Sequence, residues 1–268
     1  MKSQALQITN KQRRSYRQGL SALTLFSITV LLLLQSGYSL AAGGGVKLED
    51  APIDRGDEKS LQRGARIFVN YCMGCHSAGY QRYSRMAQDI GLSEEDVSNN
   101  MIFTTDKAGE RTKVGSLMTN NMTEDYGKQA FGVLPPNLSL TARSRGVDWI
   151  YTYLKSYYLD PERGGVGVNN LVFPDTAMPH VLWSLQGWQT LDHAEGEHDA
   201  AKLIQSTSGS LSPEEYSNLA ADVTNFLAYV SDPIRSTRHR IGIVVMLFLL
   251  VLLGVTYLLK KEYWKDVV

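Results

Sequence analysis

Both cysteines of this 268-residue chain stand in one short run, Cys72-Met73-Gly74-Cys75-His76. A Cys-x-x-Cys-His run is typical of c-type haem attachment, in which two thiols bond to the vinyl groups of one haem. The spacing places both sulfur atoms on one face of a helical turn, and His76 follows as the proximal iron ligand. The run therefore predicts one haem c, held covalently through Cys72 and Cys75, which brings one-electron chemistry that no side chain supplies.

Three other interpretations of this run fit the sequence less well. A thiol-redox pair does not explain the adjacent His76, and no thioredoxin-like βαβ pattern surrounds it. A zinc site would draw on His193 and His198, which lie far along the chain in a polar stretch. A disulfide between Cys72 and Cys75 would close a strained ring. The neighbouring histidine favours haem over all three.

The N-terminus has the pattern of a secretory signal peptide. A basic region precedes an uncharged apolar run over residues 20–34, and small residues follow at positions 37–42. The basic residues are Lys2, Lys11, Arg13, Arg14 and Arg17. We expect cleavage after residue 42, with an uncleaved N-terminal anchor as the alternative. Because a bacterial c-type haem is attached outside the cytoplasm, this signal and the haem motif agree independently.

A second membrane signal lies near the C-terminus, where residues 241–259 carry no charge. Nineteen such residues are enough to cross about 30 Å of hydrocarbon as a helix, and a buried core helix is the alternative. Basic residues flank both ends of this segment, so the distribution of positive charge does not determine its orientation. The N-terminal export signal indicates the orientation instead. The sequence then predicts a periplasmic haem domain over 43–234, a juxtamembrane and transmembrane segment over 235–262, and a cytoplasmic tail over 263–268. This places the chain in the bacterial inner membrane as a single-pass protein.

Charge limits the possible partners. The chain has 27 basic and 27 acidic residues, and five basic ones precede residue 43, which leaves 22 against 27, a net charge of −5. An acidic surface steers basic partners and argues against nucleic acid. A surface that is simply soluble explains the same charge.

The pattern of the periplasmic part predicts a mostly α fold with long loops. Residues 57–72 show the spacing of an amphipathic helix that ends at the haem cysteines. Residues 80–130 are expected to be a long loop with one short helix near 93–96. An aromatic-rich helix is predicted over 147–159. Ser212-Pro213-Glu214-Glu215 is a strong helix start, and that helix ends before Pro233.

A second axial ligand is expected for a haem that transfers electrons, and a thioether raises its potential. Met178 is the candidate, because it lies in an irregular segment bounded by Pro174 and Pro179. Spacing alone leaves rivals open: His180, Met101, Met118 and Met122. Met73 is excluded because it lies on the proximal side.

These features together resemble the cytochrome c1 family, the haem subunit of the quinol–cytochrome c reductase (cytochrome bc1) complex. The resemblance covers most of the chain after the signal and looks bacterial. It is carried by the haem motif and by Pro135-Pro136-Asn137-Leu138-Ser139, Ala142-Arg143-Ser144-Arg145, Asp148-Trp149-Ile150-Tyr151, residues 161–165, Ala177-Met178-Pro179 and Lys261-Glu262-Tyr263-Trp264-Lys265.

The resemblance implies a class I cytochrome c-like haem domain and a role for individual residues. His76 matches the proximal ligand and Met178 the distal ligand. Arg145 matches an arginine that pairs with a haem propionate, with Arg143 as the nearby alternative. Trp149 falls where the family often has a tyrosine at the propionates. Pro135 and Pro136 match the haem-edge segment, where a carbonyl would orient the His76 ring.

It also implies partners. The chain would take electrons from a Rieske iron–sulfur subunit and pass them to a cytochrome c acceptor, beside a cytochrome b subunit in membrane lipid and in a dimeric complex. Quinol oxidation would belong to the partner subunits, so this chain would perform no catalysis of its own. Two alternatives stay open: a tethered cytochrome c that serves a terminal oxidase as donor or subunit, and a haem-based sensor with a labile sixth position.

Overall fold

A computed structural model describes residues 46–106, 108–192 and 202–265. The signal segment 1–42, His193, His198 and residues 266–268 lie outside this part. The described chain is mainly helical, as predicted, and its strands pair as three separate two-stranded antiparallel sheets. The helices are α1 (Glu58–Ile67), α2 (Tyr83–Asp89), α3 (Glu94–Asn100), α4 (Glu124–Phe131), α5 (Thr141–Ser144), α6 (Val147–Lys155), α7 (Trp183–Gln186), α8 (Pro213–Ser231) and α9 (Arg235–Tyr263). The strands are β1 (Ala78–Arg82), β2 (Leu117–Met118), β3 (Tyr157–Leu159), β4 (Val168–Asn170), β5 (Gly187–Asp192) and β6 (Lys202–Ser208).

Helix α1 leads directly into the haem motif. The Asp57 side chain caps it by accepting hydrogen bonds from the backbone N–H groups of Lys59 and Ser60. The α-helix stops at Ile67, and the chain continues as a single wider π-helical turn over Phe68–Cys72. The helix expected over 57–72 is therefore present in two parts, and the π-turn places Cys72 at its end. Such turns often occur at functional sites.

Helices α1 and α8 pack at close range. A Cβ atom added at Gly64 would lie 2.1 Å from the carbonyl oxygen of Asp222, so only glycine permits this approach. Beside it the Arg63 guanidinium donates two hydrogen bonds to the Asp222 carboxylate, at 2.6 and 2.8 Å. Phe68 packs on Phe226 with ring centroids 5.5 Å apart. The segment that carries the haem motif is thus fixed against α8.

Helix α8 is the central packing element of the haem domain. It begins as predicted, with a capping box between Ser212 and Glu215 and with Pro213 in its first turn. Its side chains reach three other parts of the fold. The Tyr216 hydroxyl donates to the Leu154 carbonyl at 2.8 Å, and the Tyr229 hydroxyl donates to Asp89 at 2.8 Å. Asn225 donates to the Asp54 carbonyl at 2.6 Å.

The prediction of a long loop over 80–130 is wrong for much of that stretch. It contains α2, α3 and α4, of which only α3 coincides with the short helix expected near 93–96. Ser93 and Thr123 cap α3 and α4 by accepting from backbone N–H groups. Helices α3 and α4 each bury a single residue, so their sequence shows little apolar periodicity. Helix α2 buries Tyr83, Met86 and Ala87 at helical spacing, a signal that the prediction missed.

The aromatic helix is shorter than predicted. Helix α6 ends at Lys155, and Tyr157 begins β3, which pairs with β4 through Tyr157 and Asn170. The Ser156 hydroxyl also donates to the Asn170 side chain at 3.1 Å. Asn170 lies 13 residues after Tyr157 in the sequence, so the local apolar periodicity around Tyr157 does not reveal this pairing.

The apolar C-terminal segment is a single helix, α9, long enough to cross a membrane from Thr237 to Tyr263. Its large apolar side chains are exposed along its length. An exposed apolar surface of this length requires lipid or other apolar helices around it. The predicted transmembrane helix is therefore confirmed, and the buried core helix is excluded.

Candidate haem-binding site

The haem motif forms a tight turn after the π-helix. The backbone N–H groups of Cys75 and His76 both donate to the Cys72 carbonyl, at 3.1 and 2.8 Å. Both cysteines are free thiols. Burial, helped by the nearby Cys75, raises the pKa of Cys72 to about 12, and burial also raises the pKa of Cys75. A redox-active Cys-x-x-Cys pair has the opposite property, a lowered pKa, so the site does not favour thiol-redox chemistry.

His76 is 8 % exposed and its ring is held from outside the motif. Its Nδ1 atom lies 2.8 Å from the Pro136 carbonyl oxygen. Since a carbonyl can only accept, Nδ1 carries the proton and Nε2 keeps its lone pair. Burial lowers the pKa of His76 against the opposing effect of this hydrogen bond, so the ring is neutral. A neutral imidazole with a free Nε2 is the form that binds iron.

Hydrogen bonds join the residues after Pro136 to the residues after His76. The Leu138 N–H donates to the Ser77 carbonyl at 2.8 Å. The Asn137 side chain accepts from the N–H groups of Gly79 and Ser139, at 3.3 and 2.9 Å. The expected carbonyl beside His76 therefore comes from Pro136. Pro135 precedes it in the same segment and is partly buried.

Arg145 is held against two aromatic rings. Its guanidinium carbon lies 5.1 Å from the centroid of Trp149 and 5.7 Å from that of Phe173. These distances are typical of cation–π contacts. Arg143 on α5 and Arg145 are both exposed, and the ring contacts belong to Arg145. Of the two arginines, Arg145 is thus the one placed beside Trp149 and beside the segment that leads to Met178.

Met178 follows an irregular but well-bonded segment. The Asn170 side-chain oxygen accepts from the N–H groups of Val172 and Phe173, at 2.9 and 3.2 Å. The Asn169 oxygen accepts from the N–H of Asp175 at 2.8 Å, where the backbone is left-handed with φ of 61°. Met178 itself is partly buried against the core. Neither asparagine was predicted as part of the site, although an Asn-Asn pair ahead of a proline-bounded segment is a turn signal.

Arg163 also holds this segment. Its guanidinium donates to the Thr176 carbonyl at 2.7 Å and to the Asp175 carboxylate at 2.9 Å. These bonds reach the two residues that lie two and three positions before Met178. Side chains from outside therefore determine the backbone path of the segment.

The rival ligands lie in other packing environments. The His180 ring stacks on Tyr157 with centroids 4.8 Å apart, and burial lowers its pKa to about 4. Met118 is fully buried in the core. Met101 and Met122 line a cavity of about 710 Å³ together with Met73 and Gly74. That cavity adjoins the two residues between the cysteines, and neither His76 nor Met178 lines it.

The residues present fit a covalently bound haem. Two free thiols and a neutral imidazole lie on one turn. The Nδ1 atom of the imidazole bonds to the Pro136 carbonyl, and its Nε2 atom is free to bind iron. Arg145, in contact with two aromatic rings, supplies a positive charge near the Met178 segment. This combination can hold a porphyrin with acidic side groups and ligate its iron.

Comparison with known proteins agrees. The Cytochrome C1 family model matches residues 49–267. The chain is 48 % identical to a cytochrome c1 of Allochromatium vinosum over 245 residues, which cover 90 % of this chain and 98 % of that protein. It is 45 % identical to a protein named ammonia monooxygenase gamma subunit from Nitrosomonas europaea, covering 90 % of this chain and 97 % of that protein. A mitochondrial cytochrome c1 haem protein of Neurospora crassa is 27 % identical, over 78 % of this chain and 62 % of that protein.

Proposed function

Because the chain belongs to the cytochrome c1 family, we propose that it relays single electrons from a Rieske iron–sulfur subunit to a cytochrome c acceptor. The family consists of class I c-type cytochromes of the cytochrome bc1 complex, and this chain carries one apolar helix as its membrane anchor. The electron relay, its direction and its acceptor are the parts we propose.

The observation that carries the proposal is the geometry of His76. Its Nδ1 atom donates to the Pro136 carbonyl at 2.8 Å, which leaves Nε2 free on the turn that also presents Cys72 and Cys75. The haem, when bound, supplies reversible one-electron oxidation and reduction. The protein's own contribution is to attach the haem, keep the imidazole neutral and fix the ring's orientation.

We assign the residues as follows. Cys72 and Cys75 would attach the haem covalently, and His76 and Met178 would ligate its iron. Arg145 neutralises a propionate, with Arg143 as the alternative, and Trp149 lies beside it as a hydrogen-bond donor. Pro135 and Pro136 lie at the haem edge. Both arginines are exposed, and the contact of Arg145 with the Trp149 ring supports the choice of Arg145.

We further infer the setting in which this relay works. The signal segment 1–42 would be removed after export, and the haem domain would stand in the periplasm above a single span of the bacterial inner membrane. The partners would be a cytochrome b subunit, the Rieske subunit and membrane lipid, in a dimeric complex. Quinol oxidation would remain with the partners, so the enzyme class applies to the complex as a whole.

The test is a mild-detergent purification of the tagged chain from its native membrane, with visible redox spectra and subunit mass spectrometry on one fraction. A c-type spectrum that accompanies b-type haem and an iron–sulfur subunit supports the proposal. Terminal-oxidase subunits in their place would contradict it and favour a tethered donor. Co-purifying monooxygenase subunits would instead give this chain the association that its Nitrosomonas europaea relative's name indicates. Rapid carbon monoxide binding by the ferrous form would favour a sensor.

Orientation and processing have their own test. Intact spheroplasts treated with protease should lose the haem domain and keep a tag placed after Val268. Mass spectrometry of the purified chain should find its first residue at position 43. A tag removed by protease, or a retained N-terminus, contradicts the corresponding assignment.

A further inference from the structure

Both backbone polar groups of Met178 contact one chain of buried hydroxyl groups. The Met178 N–H lies 3.3 Å from the Thr176 hydroxyl oxygen, and the Met178 carbonyl oxygen lies 3.3 Å from the Tyr157 hydroxyl. The Tyr153 hydroxyl connects the two, at 2.9 Å from Thr176 and 2.6 Å from Tyr157. The four bonds close into a ring that starts and ends at Met178.

The directions of these hydrogen bonds follow from counting protons. A carbonyl can only accept, so Tyr157 donates its single proton to Met178 and must accept from Tyr153. Tyr153 donates its single hydroxyl proton to Tyr157, so it must accept from the Thr176 hydroxyl. Thr176 in turn accepts from the Met178 N–H. Every proton is used once, and all bonds run the same way around the ring. Such rings strengthen each member by polarising the next.

The ring is anchored on two regular elements and sealed from solvent. Tyr153 belongs to α6 and Tyr157 to β3, and the exposed fractions of Tyr153, Tyr157 and Thr176 are 8 %, 2 % and 2 %. Trp149 stacks on Tyr153 with centroids 4.9 Å apart, and His180 stacks on Tyr157 at 4.8 Å. These stacking contacts restrict the movement of both phenol rings. Their hydroxyl groups therefore stay in place to bond the irregular segment that contains Met178.

We propose that Thr176, Tyr153 and Tyr157 are positioning residues that fix the backbone of Met178 and so determine how firmly its thioether ligates the haem iron. This inference rests on the proposed function, because it takes Met178 as the distal ligand. A thioether ligand raises the haem potential. A ligand whose backbone is free to move holds the iron less firmly, so breaking the ring lowers the potential and exposes the sixth position to competing ligands.

The test uses the full chain in its native complex with three variants that keep side-chain volume: Tyr157→Phe, Tyr153→Phe and Thr176→Val. Three quantities are measured: the thioether-to-ferric-iron absorption band, the apparent affinity of the ferric form for cyanide, and the midpoint potential. We expect a weaker band, about tenfold tighter apparent cyanide binding and a lower potential. A tenfold change in the one-electron equilibrium corresponds to about 59 mV.

Tyr153→Phe is the decisive member of the series. Its hydroxyl contacts neither backbone group of Met178, so only the ring connects it to the ligand. An effect in Tyr157→Phe and Thr176→Val without one in Tyr153→Phe would reduce the ring to two separate bonds and overturn the inference.

Two further variants separate the possible failures. Tyr229→Phe removes a buried hydroxyl that bonds to Asp89 and Gln81, away from Met178, and should leave band and potential unchanged. An equal shift there would show general loosening and overturn the inference. Met178→Leu should abolish the band while covalent haem is retained. A retained band would remove Met178 as ligand and the premise with it, whereas its loss beside three unaffected hydroxyl variants would overturn only the positioning role.

Discussion

The Nδ1 atom of His76 donates to the carbonyl oxygen of Pro136 at 2.8 Å, across 60 positions of sequence. A backbone carbonyl is an acceptor that no substitution removes, so the orientation of this imidazole depends on the path of the chain. The two proline rings restrict that path by fixing their φ angles. The proximal side of the site is therefore built from backbone geometry as much as from side chains.

We predict that Cys72→Ala combined with Cys75→Ala abolishes covalent haem. Both thioether bonds are then impossible, and His76 alone does not retain haem under denaturing conditions. Haem staining of denaturing gels and intact-protein mass measure this directly. Gly74→Ala is the matched control within the same turn, because a Cβ there meets nothing within 4 Å. Covalent haem in the double variant, or its loss from Gly74→Ala, would contradict the assignment.

A second prediction separates the two arginines. Arg145→Gln should lower the midpoint potential, because a propionate left without its positive partner favours the ferric state. The expected shift is at most roughly 59 mV, which is a tenfold change in the one-electron equilibrium constant. Arg143→Gln removes the same charge two residues away, from the arginine without the contacts to Trp149 and Phe173, and should change the potential little. Redox titration of both variants in the complex decides the matter, and the reverse order of effects would assign the propionate to Arg143.

The third prediction concerns the stability of the Met178 segment. Asn170 is fully buried, and its side chain bonds to Ser156, to the Tyr153 carbonyl and to two backbone N–H groups. Asn170→Ala leaves these partners unsatisfied and should cost about 2–4 kcal/mol of the free energy of unfolding. Denaturant titration of the detergent-solubilised chain measures it.

The control for that variant is Asn70→Ala, which removes an exposed amide whose hydrogen bond goes to the Arg66 carbonyl. Its effect should stay within about 0.5 kcal/mol. Equal stabilities for the two variants would show that the Asn170 bonds contribute little.

What could be predicted from the sequence depends on how far apart in sequence the interacting residues lie. The start of α8 was predictable, because Ser212, Pro213 and Glu215 act on one another within a single helical turn. The haem turn was predictable for the same reason. The end of α6 was not, because the competing partner of Tyr157 is Asn170 in β4.

The candidate site divides in the same way. Residue types at fixed spacing identify Cys72, Cys75 and His76 as a haem motif. The hydroxyl ring around Met178 joins side chains from α6, β3 and an irregular segment, and each of its tyrosines reads in the sequence as an ordinary aromatic residue of a helix. Such a set is visible only when the fold brings its members together.

The fourth prediction is a pH dependence at the start of α8. The Glu215 carboxylate accepts from the backbone N–H and the hydroxyl of Ser212, both at 2.8 Å, and these bonds lower its pKa in the folded chain. A lowered folded pKa means that the stabilisation is present above the unfolded value of about 4.3 and is lost as the pH falls through the folded pKa. Glu215→Gln should therefore be less stable than the parent near neutral pH, and the difference should shrink in acid.

Unfolding midpoints of parent and variant, measured between about pH 7 and pH 3.5, give that difference directly. Glu214→Gln removes a charge from the same helical turn without touching the cap, and its difference from the parent should stay nearly constant with pH. A pH-independent difference for Glu215→Gln would contradict the capping account.

The position of α8 at the end of the haem domain also limits when that domain can complete its packing. This helix bonds to Arg63 across 159 positions and to Asp54 across 171, and it is the last part of the haem domain to be synthesised. Phe68 and the face of α1 beside Gly64 therefore have no α8 surface to pack against until residues 213–231 have been synthesised. The contacts that fix the segment before Cys72 against α8 thus form late, after the rest of the haem domain has been made.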